Sequence, residues 1–146
     1  MVEDETGVGG YILGALDTAD FEALLEESWW PELRLRYADP SDKPTAEWSA
    51  DEHRAWQIHH PRPAPREITQ AYPSHLHINL LPRLQGRGVG RRLIDHWLAH
   101  MGAMGSNGAH LGVGATNARA MGFYRAYGWR ELKLARPSAR TVWFGL

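Results

Sequence analysis

Apolar positions along the chain follow two periodicities, and together they predict a mixed α/β fold. Extended apolar runs bounded by Gly, Pro and Asp predict five strands, over residues 8–16, 72–81, 109–115, 129–134 and 141–146. Apolar residues at helical spacing predict helices over residues 21–29, 91–101 and 117–127. Gly128 follows the last of these and is typical of a helix C-terminus.

The stretch between the first two long strands, about residues 17–74, is unusually long. Helix N-cap residues are predicted at 17–20 and a helix boundary at Pro31. A surface loop over 38–50 and a short helix over 47–60 follow. Pro61, Pro63 and Pro65 then predict an extended path. Glu5-Thr6-Gly7 forms a turn before the first strand and leaves room for a short partner strand. We therefore predict one domain, residues 1–146, with an insertion at about 17–74.

Composition narrows the functional classes. The 146 residues are 43% hydrophobic and 23% charged, with a net charge of −1, so the basic excess typical of nucleic-acid binding is absent. There is no cysteine, which excludes disulfides, a thiol nucleophile and thiolate metal sites. No apolar run approaches the ~18 residues of a membrane span, and the acidic start lacks the order of a signal peptide. We expect a cytoplasmic protein without a nucleic-acid or membrane partner.

The candidate chemistry starts at Gln85-Gly86-Arg87-Gly88-Val89-Gly90-Arg91-Arg92, between a predicted strand and a predicted helix. Glycines leave the backbone accessible there, and the N–H groups at a helix N-terminus bind anions. The arginines add phosphate donors. A P-loop is excluded because no Gly-Lys-Ser/Thr follows, and a dinucleotide fold needs a different glycine spacing and a later acid.

Two stretches carry a family resemblance. Leu80-Leu81-Pro82-Arg83-Leu84-Gln85-Gly86-Arg87-Gly88-Val89-Gly90 resembles the acetyl-CoA signature of the GCN5-related N-acetyltransferases. About 27 residues later, Asn117-Ala118-Arg119-Ala120-Met121-Gly122-Phe123-Tyr124-Arg125-Ala126-Tyr127-Gly128-Trp129 resembles the second signature of that family. More narrowly, residues 72–82 and 110–113 are similar to the acetyltransferase-like C-terminal domain of O-GlcNAcase and its bacterial relatives.

The resemblance implies a fold and a cosubstrate. The fold is a mixed, twisted sheet in which parallel strands over 75–81 and 109–115 splay apart, joined by the 91–101 helix and flanked by helices. The cosubstrate is acetyl-CoA, whose pantetheine arm would lie in the splay. By resemblance its binding residues are Leu80, Leu81, Pro82, Gln85, Gly86, Arg87, Gly88, Val89, Gly90, Arg91, Arg92, Asn117 and Tyr124. Arg83 is expected to reach the adenosine 3′-phosphate.

For catalysis, the resemblance assigns Tyr124 to the CoA sulfur and Asn117 to the pantetheine; Asn117 also suits a helix N-cap. The base is less clear, because the glutamate common in active relatives is missing from both central strands. Strand alternation puts His75, His77 and Asn79 on one face, and His77 is the candidate base. The alternative is a histidine that packs behind the sheet. No third ligand accompanies the histidine pairs, so we predict no metal.

Two features concern partners. In the insertion, Trp29, Trp30, Trp56, His59 and His60 either line an acceptor cleft or form the insertion's own small core. The family places a strand and one or two helices before the 8–16 strand, and this chain has no room for them. Either the start of the sequence is truncated, or another chain covers the exposed apolar sheet face, and this second alternative predicts a homodimer.

These observations predict an acetyl-CoA-binding N-acetyltransferase that acts on an amine acceptor by direct attack, with Tyr124 assisting the thiolate leaving group. The acceptor itself is not predicted. One alternative is a weak or inactive pseudo-acetyltransferase that serves as a CoA-binding or protein-interaction module. Another is an unrelated nucleotide-binding domain.

Overall fold

The computed structural model describes residues 1–146, which form two compact units. The first contains Met1–Thr18 and Pro65–Leu146, and the second contains Ala19–Ala64. The second unit lies inside the segment for which the sequence predicts an insertion. The first unit contains every strand, and it contains the predicted cofactor residues because they all fall within Pro65–Leu146.

One mixed sheet of six strands forms the centre of the first unit. The strands are β1 Val2–Asp4, β2 Gly7–Ala15, β3 Ser74–Leu80, β4 Ala109–Gly114, β5 Arg130–Leu132 and β6 Thr141–Gly145. They lie in the order β1-β2-β3-β4-β6-β5. Only β3 and β4 are parallel; every other neighbouring pair is antiparallel. The predicted mixed α/β fold is confirmed, including the short strand before the Glu5-Thr6-Gly7 turn.

The helices are α1 Thr18–Leu24, α2 Trp30–Arg36, α3 Ala50–His59, α4 Arg66–Thr69, α5 Val89–Ala103 and α6 Ala118–Tyr127. The α5 helix connects β3 to β4, as predicted. No helix in the structure combines the length and the apolar character needed to cross a membrane.

The core of the first unit lies on the sheet face covered by α5 and α6. Ile94 and Trp97 of α5 pack with alternate strand residues, namely Leu76, Leu111 and Phe144. Trp129 closes this cluster and is almost fully buried. Since strand side chains alternate between faces, the residues between these core positions belong to the opposite face.

The second unit is helical. Five residues of π-helix, Leu25–Trp29, separate α1 from α2. Pro31 stands in the first turn of α2, at the helix boundary that the sequence predicts there. The Arg34 guanidinium donates two hydrogen bonds to the Glu26 carboxylate and one to the Ile58 carbonyl, and thereby ties α2 to α3.

An aromatic cluster stabilises the α3 region. Trp56 stacks on His60 with ring centroids 4.9 Å apart, and Trp48 lies 6.1 Å from Trp56. The Arg62 guanidinium lies over the Trp56 ring. Trp56 and His60 thus contact each other within the second unit, with Trp56 partly buried and His60 exposed. Trp29, in contrast, is 56% exposed and does not serve as core.

Candidate active site

The central feature of the first unit is the opening between its two parallel strands. Two residue pairs join β3 to β4, Ser74 with Ala109 and His75 with His110. Beyond them the strands separate without further pairing, as the resemblance implies. The paired ends are the N-terminal ends of both strands, so the opening widens toward the end of β3, where the chain runs on to α5. The floor of the opening therefore lies at His75 and His110, and its mouth lies at the glycine loop.

The glycine loop at the mouth needs glycine at two positions. Gly86 and Gly88 have φ angles of 73° and 75°, a left-handed conformation that other residues adopt only with strain. A Cβ added at either position would meet no atom within 4 Å, so the space in front of the backbone is open. Gly88 is the N-cap of the 15-residue helix α5, whose first N–H groups lack intrahelical acceptors. The loop can therefore take an anion.

Other residues of the predicted cofactor set fix the shape of the loop. The Gln85 side-chain amide donates to the Leu80 carbonyl at 2.7 Å. The Leu81 N–H donates to the Gly9 carbonyl at 2.8 Å, while the Leu81 side chain is 46% exposed. Val89 is buried at the start of α5, and Pro82 begins a 3₁₀ turn, Pro82–Leu84.

The arginines near the loop have different environments. Arg87 and Arg92 are exposed. Arg91 lies over the Tyr127 ring, 4.6 Å from its centroid, and donates to the Ala126 carbonyl. Arg83 makes an ion pair with Asp4 at 2.8 Å. The predicted contact between Arg83 and a 3′-phosphate would have to compete with this pair, whereas Arg87 and Arg92 have no such competitor.

Asn117 is the N-cap of α6, and Tyr124 lies on that helix within the core on the helix side of the sheet. Tyr124 is buried and packs against Phe144, with centroids 5.9 Å apart. Phe144 is the cross-strand partner of Leu111, the residue after His110, so Tyr124 stands close to the level of the floor. Burial raises the pKa of Tyr124, which keeps its hydroxyl protonated. Asn117 caps α6 by accepting a hydrogen bond from the Ala120 N–H at 3.0 Å, the role that the sequence also allows.

Histidines occupy the opposite face. The rings of His75 and His77 lie 5.8 Å apart, which confirms that the two share a face. His75 also lies 5.9 Å from His110, whose ring is 5.8 Å from Trp143. His77 is exposed and His110 is buried. Asn79 donates to the Tyr11 hydroxyl at 2.8 Å.

Hydrogen bonds to the protein hold both inner histidines. His75 Nδ1 is 2.9 Å from the Thr18 hydroxyl, and His110 Nδ1 donates to the Tyr72 carbonyl at 2.6 Å. Burial, with smaller effects from His110 and His77, lowers the pKa of His75 to about 4. Burial also lowers the pKa of His110. Both imidazoles are therefore neutral near pH 7. The structure contains no group of three or more His, Asp or Glu side chains arranged to hold a metal ion.

Sequence reasoning missed Thr18. This residue is almost fully buried, and its hydroxyl donates to the Pro73 carbonyl at 2.6 Å. It lies 57 residues before the histidine it contacts, and in sequence it has the appearance of one more candidate helix cap. No local pattern connects it to β3.

A mixed sheet that opens between two parallel strands, with a glycine loop and a helix N-terminus at the mouth, is the arrangement that the resemblance to acetyltransferases implies. A profile of the acetyltransferase (GNAT) family matches residues 67–129. The crystal structure of SsHAT is 35% identical, with a TM-score of 0.84, over 99% of this chain and 69% of that chain. This chain belongs to the GNAT family of acetyltransferases.

Two further relatives agree. The chain is 28% identical over 134 residues to Protein O-GlcNAcase of Rattus norvegicus, which covers 90% of this chain and 14% of the relative. It therefore spans about one seventh of the length of that curated relative. The crystal structure of an acetyltransferase shares the fold, with a TM-score of 0.57. It is 17% identical to this chain, and the match covers 99% of this chain and 66% of the other chain.

Proposed function

We propose that this protein is an N-acetyltransferase that takes acetyl from acetyl-CoA and transfers it to an amine. The observation that carries the proposal is the opening between β3 and β4, which is closed at His75 and His110 and ends at the glycine loop and the N-terminus of α5. An extended ligand arm can bond to the unpaired strand edges in such an opening as an added strand does. Family membership supports acetyl as the group transferred.

The dimensions suit a long arm. From His75 to Leu80 the β3 strand advances five residues, or about 17 Å. The pyrophosphate of CoA would bind at the loop, and the thioester would lie toward the floor, beside Tyr124. There the Tyr124 hydroxyl would protonate the thiolate as the C–S bond breaks. The amine would attack the acetyl carbon from the face that carries the histidines.

We assign cofactor binding to the residues of the loop, the strand end and α6 that the family resemblance marks. They are Leu80, Leu81, Pro82, Gln85, Gly86, Arg87, Gly88, Val89, Gly90, Arg91, Arg92, Asn117 and Tyr124. Exposed Arg87 and Arg92 suit the phosphates best, since neither has another acceptor. His77 is exposed on the sheet face from which the amine would attack, and we assign it as the acceptor of the amine proton.

Calorimetry with acetyl-CoA, followed by thiol release with glucosamine, spermidine, an α-amino peptide and a lysine peptide, tests the proposal. We expect binding and transfer to at least one amine. Gly88→Trp should abolish binding, because its indole would fill the space in front of the loop. Gly102→Trp, at the exposed far end of α5, is the matched control and should bind normally. No binding by the wild-type protein would reject the proposal.

A second candidate is a module that binds acetyl-CoA without transferring the acetyl group. The observation that favours it is the absence of any carboxylate from Ser74–Leu80 and Ala109–Gly114. Tight binding without turnover on the whole panel would support it. Turnover that is lost in Tyr124→Phe would reject it.

We also propose that the protein is a homodimer in the cytoplasm. Tyr11 and Leu13 of β2 are 41% and 53% exposed and lie beside Asn79 and His77 on β3, so a second copy that covers them would form one wall of the amine site. The cytoplasmic location rests on the cysteine-free composition. Light scattering at micromolar concentration should give a dimer mass, and Leu13→Asp should reduce it to that of a monomer.

A further inference from the structure

Two side chains of α5 hold the last residue of α6 between them. The Arg91 guanidinium lies over the Tyr127 ring, 4.6 Å from its centroid, and the Tyr127 hydroxyl donates to the Asp95 carboxylate. Arg91 and Asp95 are four residues apart on α5 and therefore share one face of that helix. Burial and then the Asp95 carboxylate raise the pKa of Tyr127 to about 12, so its hydroxyl still donates at neutral pH. These three side chains form a helix clamp.

The Arg91 side chain also bonds to the backbone at the end of α6. Its Nη2 group donates to the Ala126 carbonyl at 3.3 Å, and Ala126 lies in the last turn of that helix. Carbonyls in the last turn lack intrahelical donors and carry the negative end of the helix dipole, so a guanidinium is favourable there. The guanidinium of Arg91 is thus engaged by α6, while its backbone N–H stays in the first turn of α5, at the glycine loop.

A second contact joins α6 to the same turn of α5. A Cβ added at Gly90 would lie 3.3 Å from the Phe123 ring, so the two helices approach closely at this point. Tyr124 lies between Phe123 and Tyr127 along α6, and its ring centroid is 5.3 Å from that of Phe123. The position of Tyr124 relative to the glycine loop therefore depends on the contacts that its two neighbours make with α5.

We propose that Arg91 is a positioning residue, whose guanidinium fixes α6 against the first turn of α5 and thereby sets the distance between Tyr124 and the bound CoA phosphates. This inference rests on the proposed acetyl transfer and changes the role of the Arg91 side chain from phosphate ligand to clamp. The phosphates and the thioester are two ends of one ligand arm, so the loop and the proton donor must keep a fixed separation. Exposed Arg87 and Arg92 supply the charge for the phosphates.

A double-mutant cycle in urea tests the helix clamp without any cofactor. Arg91→Met removes the guanidinium, and Tyr127→Leu removes the ring and the hydroxyl. Each should lower the unfolding midpoint, and the double variant should lower it by less than the sum of the two. Arg119→Met, exposed on α6, is the matched control and should be additive with Tyr127→Leu.

The cycle separates the helix clamp from the proposed function. Additive losses for Arg91 and Tyr127 would reject the inference whether or not acetyl-CoA binds. Non-additive losses in a protein that binds no acetyl-CoA would support the helix clamp and reject the proposed function.

Kinetics with the best amine of the panel separate positioning from phosphate binding. Arg91→Met should lower kcat about tenfold or more, because the proton donor is displaced, and should keep the Kd for acetyl-CoA within about twofold of the wild-type value. Arg92→Met should instead weaken acetyl-CoA binding, and Arg119→Met should change neither quantity. A weakened Kd with an unchanged kcat in Arg91→Met would make Arg91 a phosphate ligand and reject the inference.

A second background shows whether Arg91 acts through Tyr124. In Tyr124→Phe no hydroxyl remains to be positioned, so the addition of Arg91→Met should cause no further loss of kcat. Tyr127→Phe keeps the ring under Arg91 and loses only the bond to Asp95, so its kcat should fall less than that of Arg91→Met. An equal loss of kcat from Arg91→Met in both backgrounds would show that Arg91 does not act through Tyr124 and would overturn its positioning role.

Discussion

The guanidinium of Arg83 donates two hydrogen bonds to the carboxylate of Asp4, from Nε at 2.8 Å and from Nη2 at 3.2 Å. The same Nη2 group lies within hydrogen-bond distance of the Gly7 and Val8 carbonyls. Arg83 belongs to the 3₁₀ turn just before the glycine loop, and Asp4 ends β1. This pair therefore ties the N-terminal hairpin to the segment proposed to hold the CoA phosphates.

Asp4→Asn should lower the thermal midpoint and weaken acetyl-CoA binding several-fold, because the loop loses its tie to β1. Hydrogen bonds from Arg83 and Thr6 hold the pKa of Asp4 well below its usual range. Its folded-state pKa is lower than its unfolded value, so the stabilisation is complete above about pH 3.9 and is lost only as the pH falls through the folded pKa.

The measurement is the difference in midpoint between wild type and Asp4→Asn, which should be constant between about pH 5 and about pH 7. Asp51→Asn is the control, since its pair with Arg54 is exposed and surface pairs of this kind contribute little. A difference that disappears at neutral pH would contradict the structural role of Asp4.

Gly88→Ala should destabilise the protein by about 1–2 kcal/mol, because alanine must adopt a left-handed conformation there. Gly102→Ala, in the helical part of α5 with open space around it, should instead stabilise by about 0.5–1 kcal/mol. Urea unfolding gives both values, and calorimetry should show weaker acetyl-CoA binding only in Gly88→Ala. Equal effects of the two substitutions would mean that the loop conformation is not required.

Tyr124→Phe should keep the fold and lower kcat about a hundredfold, because a phenyl ring cannot protonate the thiolate. Burial raises the pKa of Tyr124, so in the wild type its hydroxyl should remain a proton donor beyond about pH 10. Ultraviolet titration of the tyrosines checks the pKa, and thiol release checks kcat. Tyr37→Phe, on an exposed residue, is the control, and a similar kcat in both variants would exclude the role of Tyr124.

Acid should destabilise the protein through its inner histidines. The pKa values of His75 and His110 are lower in the folded state, so the unfolded chain binds protons at a higher pH. Their effect on stability is therefore absent above about pH 6.5, and for His75 it grows as the pH falls toward about 4. Urea midpoints across this range should fall less in His75→Gln than in the wild type; parallel curves would show that His75 does not contribute.

Much of the fold could be predicted because its determinants are local. The apolar run in Ala109–Gly114, the turn at Glu5-Thr6-Gly7 and the cap at Asn117 each act on neighbouring residues. The opening between β3 and β4 was implied only by family resemblance. Its floor at His75 and His110 depends on where two strands stop pairing, and strand periodicity does not encode that position.

Parts of the candidate site were beyond prediction for a related reason. Arg83 finds its partner 79 residues away, and Thr18 finds His75 at a distance of 57 residues. Such contacts depend on tertiary packing, so the sequence could suggest a phosphate for Arg83 but could not show the competing carboxylate. The π-helix at Leu25–Trp29 likewise has no distinct pattern, because its apolar spacing matches that of an ordinary helix over so few residues.

The two residue pairs between β3 and β4 make the sheet two three-stranded ribbons that share one short seam, β1-β2-β3 and β4-β6-β5. An extended arm bonded along Leu76–Leu80 would lengthen that seam as an intervening strand. Backbone amides of β3 that face β4 would then exchange their hydrogens with solvent more slowly than in the protein alone. Amide exchange along one strand edge would thus report cofactor occupancy, whether or not any acetyl group is ever transferred.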